Sequence, residues 1–376
     1  MRRTLTIITT NKCNLSCEYC FVKDKKELAS IDEVTLKNGI EWFINQSLLS
    51  KNKSDSLRFV FFGGEPLIEF SKIIYSVNLA KSICKEANIQ CGFQIITNGT
   101  LFNKNIERFC IENDIDIQVS IDGANEGHRK PSTEKNKTTK HDHIINNTRN
   151  LLETNLNITV NMVYSASKVD DIFSNFSFLI NLGIKNIRLR PSIGFDDKWD
   201  LKKLKDEMKK VLDVAINNSQ LNIHPFKYLL NESRRIEDVL SNDPRYNLDN
   251  EVYCEVGKNN LCLNTNGDVY PCHRFVFDND SNLFLFGNVN SNMFSVDKIR
   301  SFLSYRPRRD GGCKNCEYKY LCDNQCLYAF YEKNRNLNDA DTCLCTVTKA
   351  VLSLMVEEGL IKTKKQFNHT AEGACL

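Results

Sequence analysis

Six times between Met1 and Pro191 a short apolar run is followed by a longer stretch of mixed polarity, and this alternation constrains the fold more than any other feature. The runs lie at residues 5–8, 57–62, 93–97, 115–120, 158–164 and 186–191. The stretches between them, at 32–49, 70–87, 103–112, 144–153 and 170–182, space their apolar residues as helices do. In the first, Val34, Leu36, Ile40, Phe43, Ile44 and Leu48 follow one face. Strand-then-helix repetition builds a parallel sheet. Six units predict an α/β fold, a partial (β/α)6 TIM-like barrel over residues 1–215. Residues 201–218 and 228–240 read as two connecting helices, which sets residues 216–250 apart as a linker region. The charged run from Lys202 to Lys210 is most simply a solvated helix face. The unusual residues come just after the strands: cysteines at 13–20, glycines at 63–64, Asn98, and Ser120 with Asp122. In parallel α/β folds that end of the sheet forms the active-site face.

The sixteen cysteines of this 376-residue chain set its chemistry. Basic and acidic residues nearly balance, 50 against 47, which argues against nucleic acid or an anionic membrane as the main partner. No apolar run reaches the length of a transmembrane helix. The first ten residues are too short and too rich in Thr for a signal peptide and read as a strand, so a cytoplasmic location is expected. In such a chain paired cysteine spacings indicate metal or cluster ligation rather than disulfides. Cys13, Cys17 and Cys20 form a C-x3-C-x2-C triad. Three thiolates can hold three irons of a four-iron cluster and leave the fourth open. Ten more cysteines lie from Cys254 onward, marking a cysteine-rich domain over residues 251–376, with short hairpins and a final helix near 347–358. Cys84, Cys91, Cys110 and Cys375 read as small buried hydrophobes or incidental surface thiols.

With Tyr19 just before the third cysteine, the triad resembles the loop of radical S-adenosylmethionine (SAM) enzymes. Gly63-Gly64-Glu65-Pro66 resembles the family's GGEP motif. There the glycines would let backbone approach SAM, and the carboxylate would pair with its amino group. Residues 96–100 and 119–123 resemble the TNGT and SxDG segments, which brings in Asn98, Ser120 and Asp122, the latter two near the ribose and methionine of SAM. Arg190, or else Arg188, would pair with the SAM carboxylate. The resemblance implies that SAM is cleaved reductively to methionine and a 5′-deoxyadenosyl radical, which takes hydrogen from an unactivated carbon.

The C-terminal cysteines resemble the SPASM extension of radical SAM maturases, which binds two auxiliary 4Fe–4S clusters, three clusters in all. The resemblance assigns Cys254, Cys262, Cys272 and Cys326 to the first. It assigns Cys313, Cys316, Cys322 and one late cysteine to the second, with Cys345 preferred over Cys343 because a helix is expected to start just after it. Taken alone, residues 313–326 would also fit a zinc ribbon. If Cys262 does not ligate, the first auxiliary cluster has an open iron for a substrate thiolate. Residues 270–276 and 285–289 are similar to peptide maturases that join a cysteine sulfur to a carbon. His273 stands where related sulfatase-activating enzymes carry an Asp proposed as a base, so it would be a catalytic base, or else would donate a hydrogen bond to cluster sulfur or pack under the loop.

The resemblance thus implies a maturase of a ribosomally made precursor peptide that forms a Cys thioether. The alternatives are oxidation of Cys or Ser to formylglycine, carbon–carbon crosslinking or epimerisation, or a non-catalytic iron–sulfur electron-transfer protein. Its partners would be the peptide and an electron donor such as flavodoxin or ferredoxin; because the barrel begins within ten residues of Met1, leader capture would fall to a separate leader-binding protein or to another surface. Two features depart from the pattern. Asp323-Asn324-Gln325 replaces the usual glycines, and the basic connection from His128 to His143 either touches an acidic peptide or is a surface loop.

Overall fold

The computed structural model describes residues 2–22, 28–49, 56–125, 127, 129–131, 140–196, 198–243, 248, 254–305, 311–322, 326–339, 343–363 and 366. His128, Asp323, Asn324, Gln325 and Cys375 lie outside the described residues.

Strand β1 (Arg2–Thr10) buries Leu5, Ile7 and Ile8. The short β2 (Leu15–Cys17) lies within the cysteine triad. Helix α1 (Glu33–Leu48) starts where the Asp32 carboxylate accepts the Thr35 N–H at 2.7 Å, and it buries Leu36, Ile40, Phe43 and Ile44. Then follow β3 (Ser56–Gly63), α2 (Phe70–Glu86), β4 (Gln90–Thr97), α3 (Lys104–Glu112, capped by Asn103) and β5 (Ile115–Ser120). After β5 the chain forms β6 (Arg129–Pro131), α4 (Lys140–Leu152), β7 (Ile158–Tyr164), α5 (Ile172–Asn181) and β8 (Asn186–Pro191). The remainder comprises α6 (Leu201–Asn217), β9 (Asn222–His224), α7 (Phe226–Asn242), β10 (Asn260–Leu263), β11 (Asp268–Tyr270), α8 (His273–Val276), β12 (Gly287–Asn288), β13 (Met293–Phe294), α9 (Val296–Ser304), α10 (Leu327–Asn334) and α11 (Cys343–Glu357).

Three details differ from the sequence reading. β6 pairs antiparallel with β2, setting Arg129 opposite Cys17, within a connection expected to be irregular. β9 adds a strand parallel to β8 that three residues are too few to announce. Helix α11 begins at Cys343 rather than near 347. Both late cysteines therefore sit in its first turn, and the reason for preferring Cys345 disappears.

The chain divides into two compact units. The first contains residues 1–121, 125–160 and 255–304. Its sheet runs β13-β12-β11-β10-β1-β3-β4-β5. β1 pairs in parallel with β3 on one side and with β10 on the other, and the strands beyond β10 turn antiparallel. Phe59 is the centre of the core between sheet and α1, edge-on to Phe43 at 5.7 Å and stacked on Phe93 at 5.8 Å. The second unit holds residues 122–124, 161–254 and 305–376. There α6 buries Leu204, Met208, Val211 and Leu212. Its lysines face outward, Lys205 reaching Glu357 at 2.7 Å and Lys209 reaching Glu358 at 2.8 Å, both at the end of α11. Such exposed pairs add little to stability. Among the described residues no helix is long and apolar enough to cross a membrane.

Candidate active site

In the first unit the strand registers align the motif residues. Thr10 lies beside Gly63, Phe61 beside Ile95, and Thr97 beside Val119. The cysteine loop, Gly64-Glu65, Asn98 and Ser120 therefore all emerge from one edge of the sheet. The glycines are required there by backbone rather than by ligand. A Cβ on Gly64 would stand 2.1 Å from the Lys12 carbonyl oxygen, and Gly63 (φ +137°) would meet the Thr10 oxygen at 2.2 Å. Gly64 N–H donates to Thr10 O and Glu65 N–H to Lys12 O, both at 2.8 Å, so the end of β3 clamps the stem of the cysteine loop.

Glu65 has no exposed surface. Its carboxylate accepts three bonds from the protein: Thr97 Oγ1 at 2.7 Å and Leu67 N–H at 3.0 Å on Oε1, and Asn98 N–H at 2.7 Å on Oε2. Burial pushes this acid up to about 7, against the pull of those donors. In the structure the motif glutamate thus ties the end of β3 to the end of β4.

Cys13 reaches the surface, while Cys17 and Cys20 are half-buried. The Cys13 sulfur is nonetheless desolvated enough to be pushed up to about 11, opposed by the Leu15 N–H and the Asn98 amide. Those donors stand 3.4 and 3.8 Å from it. The Tyr19 ring lies beneath the Arg129 guanidinium, 5.5 Å from its centre, so β6 grips the loop through backbone pairing and a cation–π contact.

His273 follows Cys272 and its Nδ1 is 3.7 Å from the Cys272 sulfur. Its ring lies 4.8 Å from Phe62 and 5.9 Å from Phe21, the residue after Cys20. Burial, with the Arg274 charge, pushes it down to about 3, so it is neutral at pH 7 and a weak proton acceptor. Cys262 is wholly buried in β10, paired with Thr6 and Tyr270, and burial, with the neighbouring Cys272, pushes its thiol well up.

In the second unit Asp122 is buried and accepts the Val163 N–H at 3.0 Å. Arg190 is half-buried on β8 and Arg188 exposed. Their charges, after burial, help push His224 down to about 3. Cys313, Cys316 and Cys322 lie on successive tight turns, with Cys316 N–H bonded to Cys313 O at 3.1 Å and Cys322 N–H to Tyr318 O at 3.0 Å. Lys319, between Cys316 and Cys322 in sequence, is buried, with its ammonium 5.0 Å from the centre of the Tyr320 ring. Cys326 is the N-cap residue of α10. Cys254 is half-buried.

Residues 7–171 match the radical SAM superfamily, and residues 254–317 match SPASM, an iron–sulfur cluster-binding domain. The protein is a radical SAM enzyme. The radical SAM cyclopropyl synthase TigE of Paramaledivibacter caminithermalis is 25% identical to it, over 94% of this chain and 74% of that one. A cysteine-type anaerobic sulfatase-maturating enzyme of Clostridium novyi is 25% identical over 84% of this chain and 85% of that one. Native anSMEcpe with bound AdoMet and Kp18Cys peptide shares the fold, with a TM-score of 0.74 at 17% identity, covering 99% of this chain and 100% of that chain.

The cofactors of this radical SAM enzyme are 4Fe–4S clusters and SAM. The donor set suits a cluster, because three thiols stand on one short loop and N–H donors point at the first sulfur. Sequence reasoning gave no role to four residues around these sites: Asn14, Thr97, Thr100 and Lys319. A lone Lys between Cys316 and Cys322 was the available signal for the last. The other three form contacts between distant parts of the chain.

Proposed function

We propose that this radical SAM enzyme matures a ribosomally made peptide by joining a cysteine sulfur to a carbon of the same peptide. When bound, the reduced cluster and SAM supply a 5′-deoxyadenosyl radical. Cys13, Cys17 and Cys20 would hold that cluster, and Tyr19 and Ser120 would contribute to the SAM site. Thioether formation removes one hydrogen atom from carbon, one proton from the thiol and one further electron, so an electron acceptor is needed. The observation that carries the reading is the direct packing of the Cys272 segment against the Cys20 segment, through His273 and Phe21. It supports a reading in which Cys262 and Cys272 would hold an auxiliary cluster that would supply an electron acceptor, with neutral His273 holding the Cys272 sulfur rather than acting as a base. Flavodoxin or ferredoxin would supply the reducing electron.

Anaerobic incubation with SAM, reductant and a co-encoded cysteine-containing peptide is expected to yield deoxyadenosine and a peptide lighter by two hydrogens that no longer reacts with a thiol alkylator. Loss of two hydrogens with the thiol still alkylatable would instead mean a carbon–carbon bond. Likeness to the sulfatase-maturating enzyme favours one second reading, oxidation of Cys or Ser to formylglycine. A hydrazide-reactive aldehyde in the product identifies it.

The second auxiliary cluster is proposed to use Cys313, Cys316 and Cys322 with one of Cys343 and Cys345. Two residues apart in a helix, the last pair point about 200° from each other, so only one can serve. Of the variants Cys343→Ser and Cys345→Ser, one is expected to lose about four irons per chain and the other none. Equal iron loss in both would refute this assignment.

A further inference from the structure

The Asn98-Gly99 turn would ordinarily be a plain connection, but the Asn98 side chain is locked into a closed ring. Asn98 Nδ2 donates to Asn14 Oδ1 at 2.9 Å, Asn14 Nδ2 donates to Thr100 Oγ1 at 2.8 Å, and Thr100 Oγ1 donates back to Asn98 Oδ1 at 2.6 Å. The orientation of the amide is not arbitrary. The Thr100 backbone N–H, which can only donate, lies 3.0 Å from Asn98 Oδ1 and fixes the oxygen there. The NH2 group must then face Asn14 and the Cys13 sulfur, 3.8 Å away. Both amide protons and both oxygen lone pairs of Asn98 are engaged by these contacts. Its backbone is held as well, by Glu65 Oε2 at 2.7 Å, and the Gly99 carbonyl accepts from Asn147 Nδ2 at 2.8 Å. The side chain is buried and has no hydrogen-bonding site left for SAM.

Hydrogen bonds to cluster sulfurs draw electron density from the thiolate and favour the reduced, more negative cluster. Resting on the reading that Cys13 ligates the SAM-binding cluster, we infer that Asn98 is a positioning residue acting through Cys13. Its amide N–H raises the reduction potential of that cluster, and Asn14 and Thr100 keep the amide turned toward the sulfur. The other donor to this sulfur, the Leu15 backbone N–H, is part of the loop itself and cannot be removed by a side-chain change.

The test is an EPR-monitored redox titration of the reconstituted full-length protein. The signal that changes on adding SAM marks the relevant cluster, and iron content is measured alongside. Asn98→Asp keeps the shape, removes the donor and adds a negative charge. At a fixed poise its reduced-to-oxidised ratio is expected to fall about tenfold, a midpoint 59 mV more negative for one electron. Thr100→Val should shift it the same way by less, and Thr100→Ser should restore the wild-type value. A fully iron-loaded Asn98→Asp with an unchanged midpoint would overturn the inference. If that variant does not load iron, Thr100→Val decides: a negative shift supports the inference and no shift overturns it. If no wild-type signal responds to SAM, the assignment of Cys13 fails, and this inference with it.

Discussion

Gly64→Ala is expected to strip the cysteine loop of its iron while the remaining cysteines stay loaded. The new Cβ would lie 2.1 Å from Lys12 O, 2.6 Å from Lys12 C and 2.8 Å from Asn11 O. All three are backbone atoms, so no side chain can rotate away. The strain can be relieved only by pulling the end of β3 off the stem of the loop, which breaks the 2.8 Å bonds of Gly64 to Thr10 and of Glu65 to Lys12. Cys13 begins at the next residue. Overpacking of this kind costs about 1–3 kcal/mol or more. Iron analysis should show about four irons lost of about twelve, with a lowered Tm. Gly92→Ala is the control. A Cβ there meets no described atom within 4 Å, and its effect should stay within about 1 kcal/mol. Full iron in Gly64→Ala at an unchanged Tm would show that the clamp does not order the loop.

Glu65 should pull stability down as pH rises from 5 to 7, against the gain from His224 and His273. Burial pushes both histidines down to about 3, so they stay neutral in the folded protein while the unfolded chain binds protons below about 6.5. Burial raises the Glu65 carboxyl from 4.5 to about 7. Between those values the folded protein keeps a proton that the unfolded chain has released. The contribution is complete below pH 4.5 and is lost as pH rises through 7. A shift of that size corresponds to about 3 kcal/mol. Urea midpoints across this range measure it. Glu65→Gln should remove that downward contribution, so the variant gains more stability than the wild type between pH 5 and 7. It should also lower stability at pH 5 by about 1–3 kcal/mol, because a Gln NH2 must face Asn98 N–H or the pair formed by Thr97 and Leu67. An equal slope in the variant would assign the pH dependence to other groups.

The elements that were legible in the sequence are those whose pattern repeats within themselves. The run at 115–120 and the run at 158–164 are β5 and β7 to the residue, and Asp32 and Asn103 cap α1 and α3. β6 and β9 were not legible, because three residues carry no alternation. The start of α11 was missed because cysteines at 343 and 345 give no apolar periodicity. At the site, motif resemblance found Glu65 and Asn98 but not what they touch. Their mutual bond spans 33 residues and the bond from Asn98 to Asn14 spans 84. Only the parallel register of β1, β3 and β4 brings such residues abreast, and a one-dimensional pattern does not encode register.

The placement of β1 also bears on how the chain is made. One edge of β1 is closed early, by residues 56–63, but the other waits for residues 260–263. On the ribosome, at about 5–20 residues per second, the strand that leads into the cysteine loop spends many seconds with a bare hydrogen-bonding edge. During that time Gly39 of α1 also lacks the Leu263 side chain that packs against it. Chains cut before Asn260 retain that open edge permanently, with Leu5 and Ile7 alongside it. They are candidates for strand-to-strand aggregation, so the cysteine-loop strand depends for its shelter on a segment synthesised long after it.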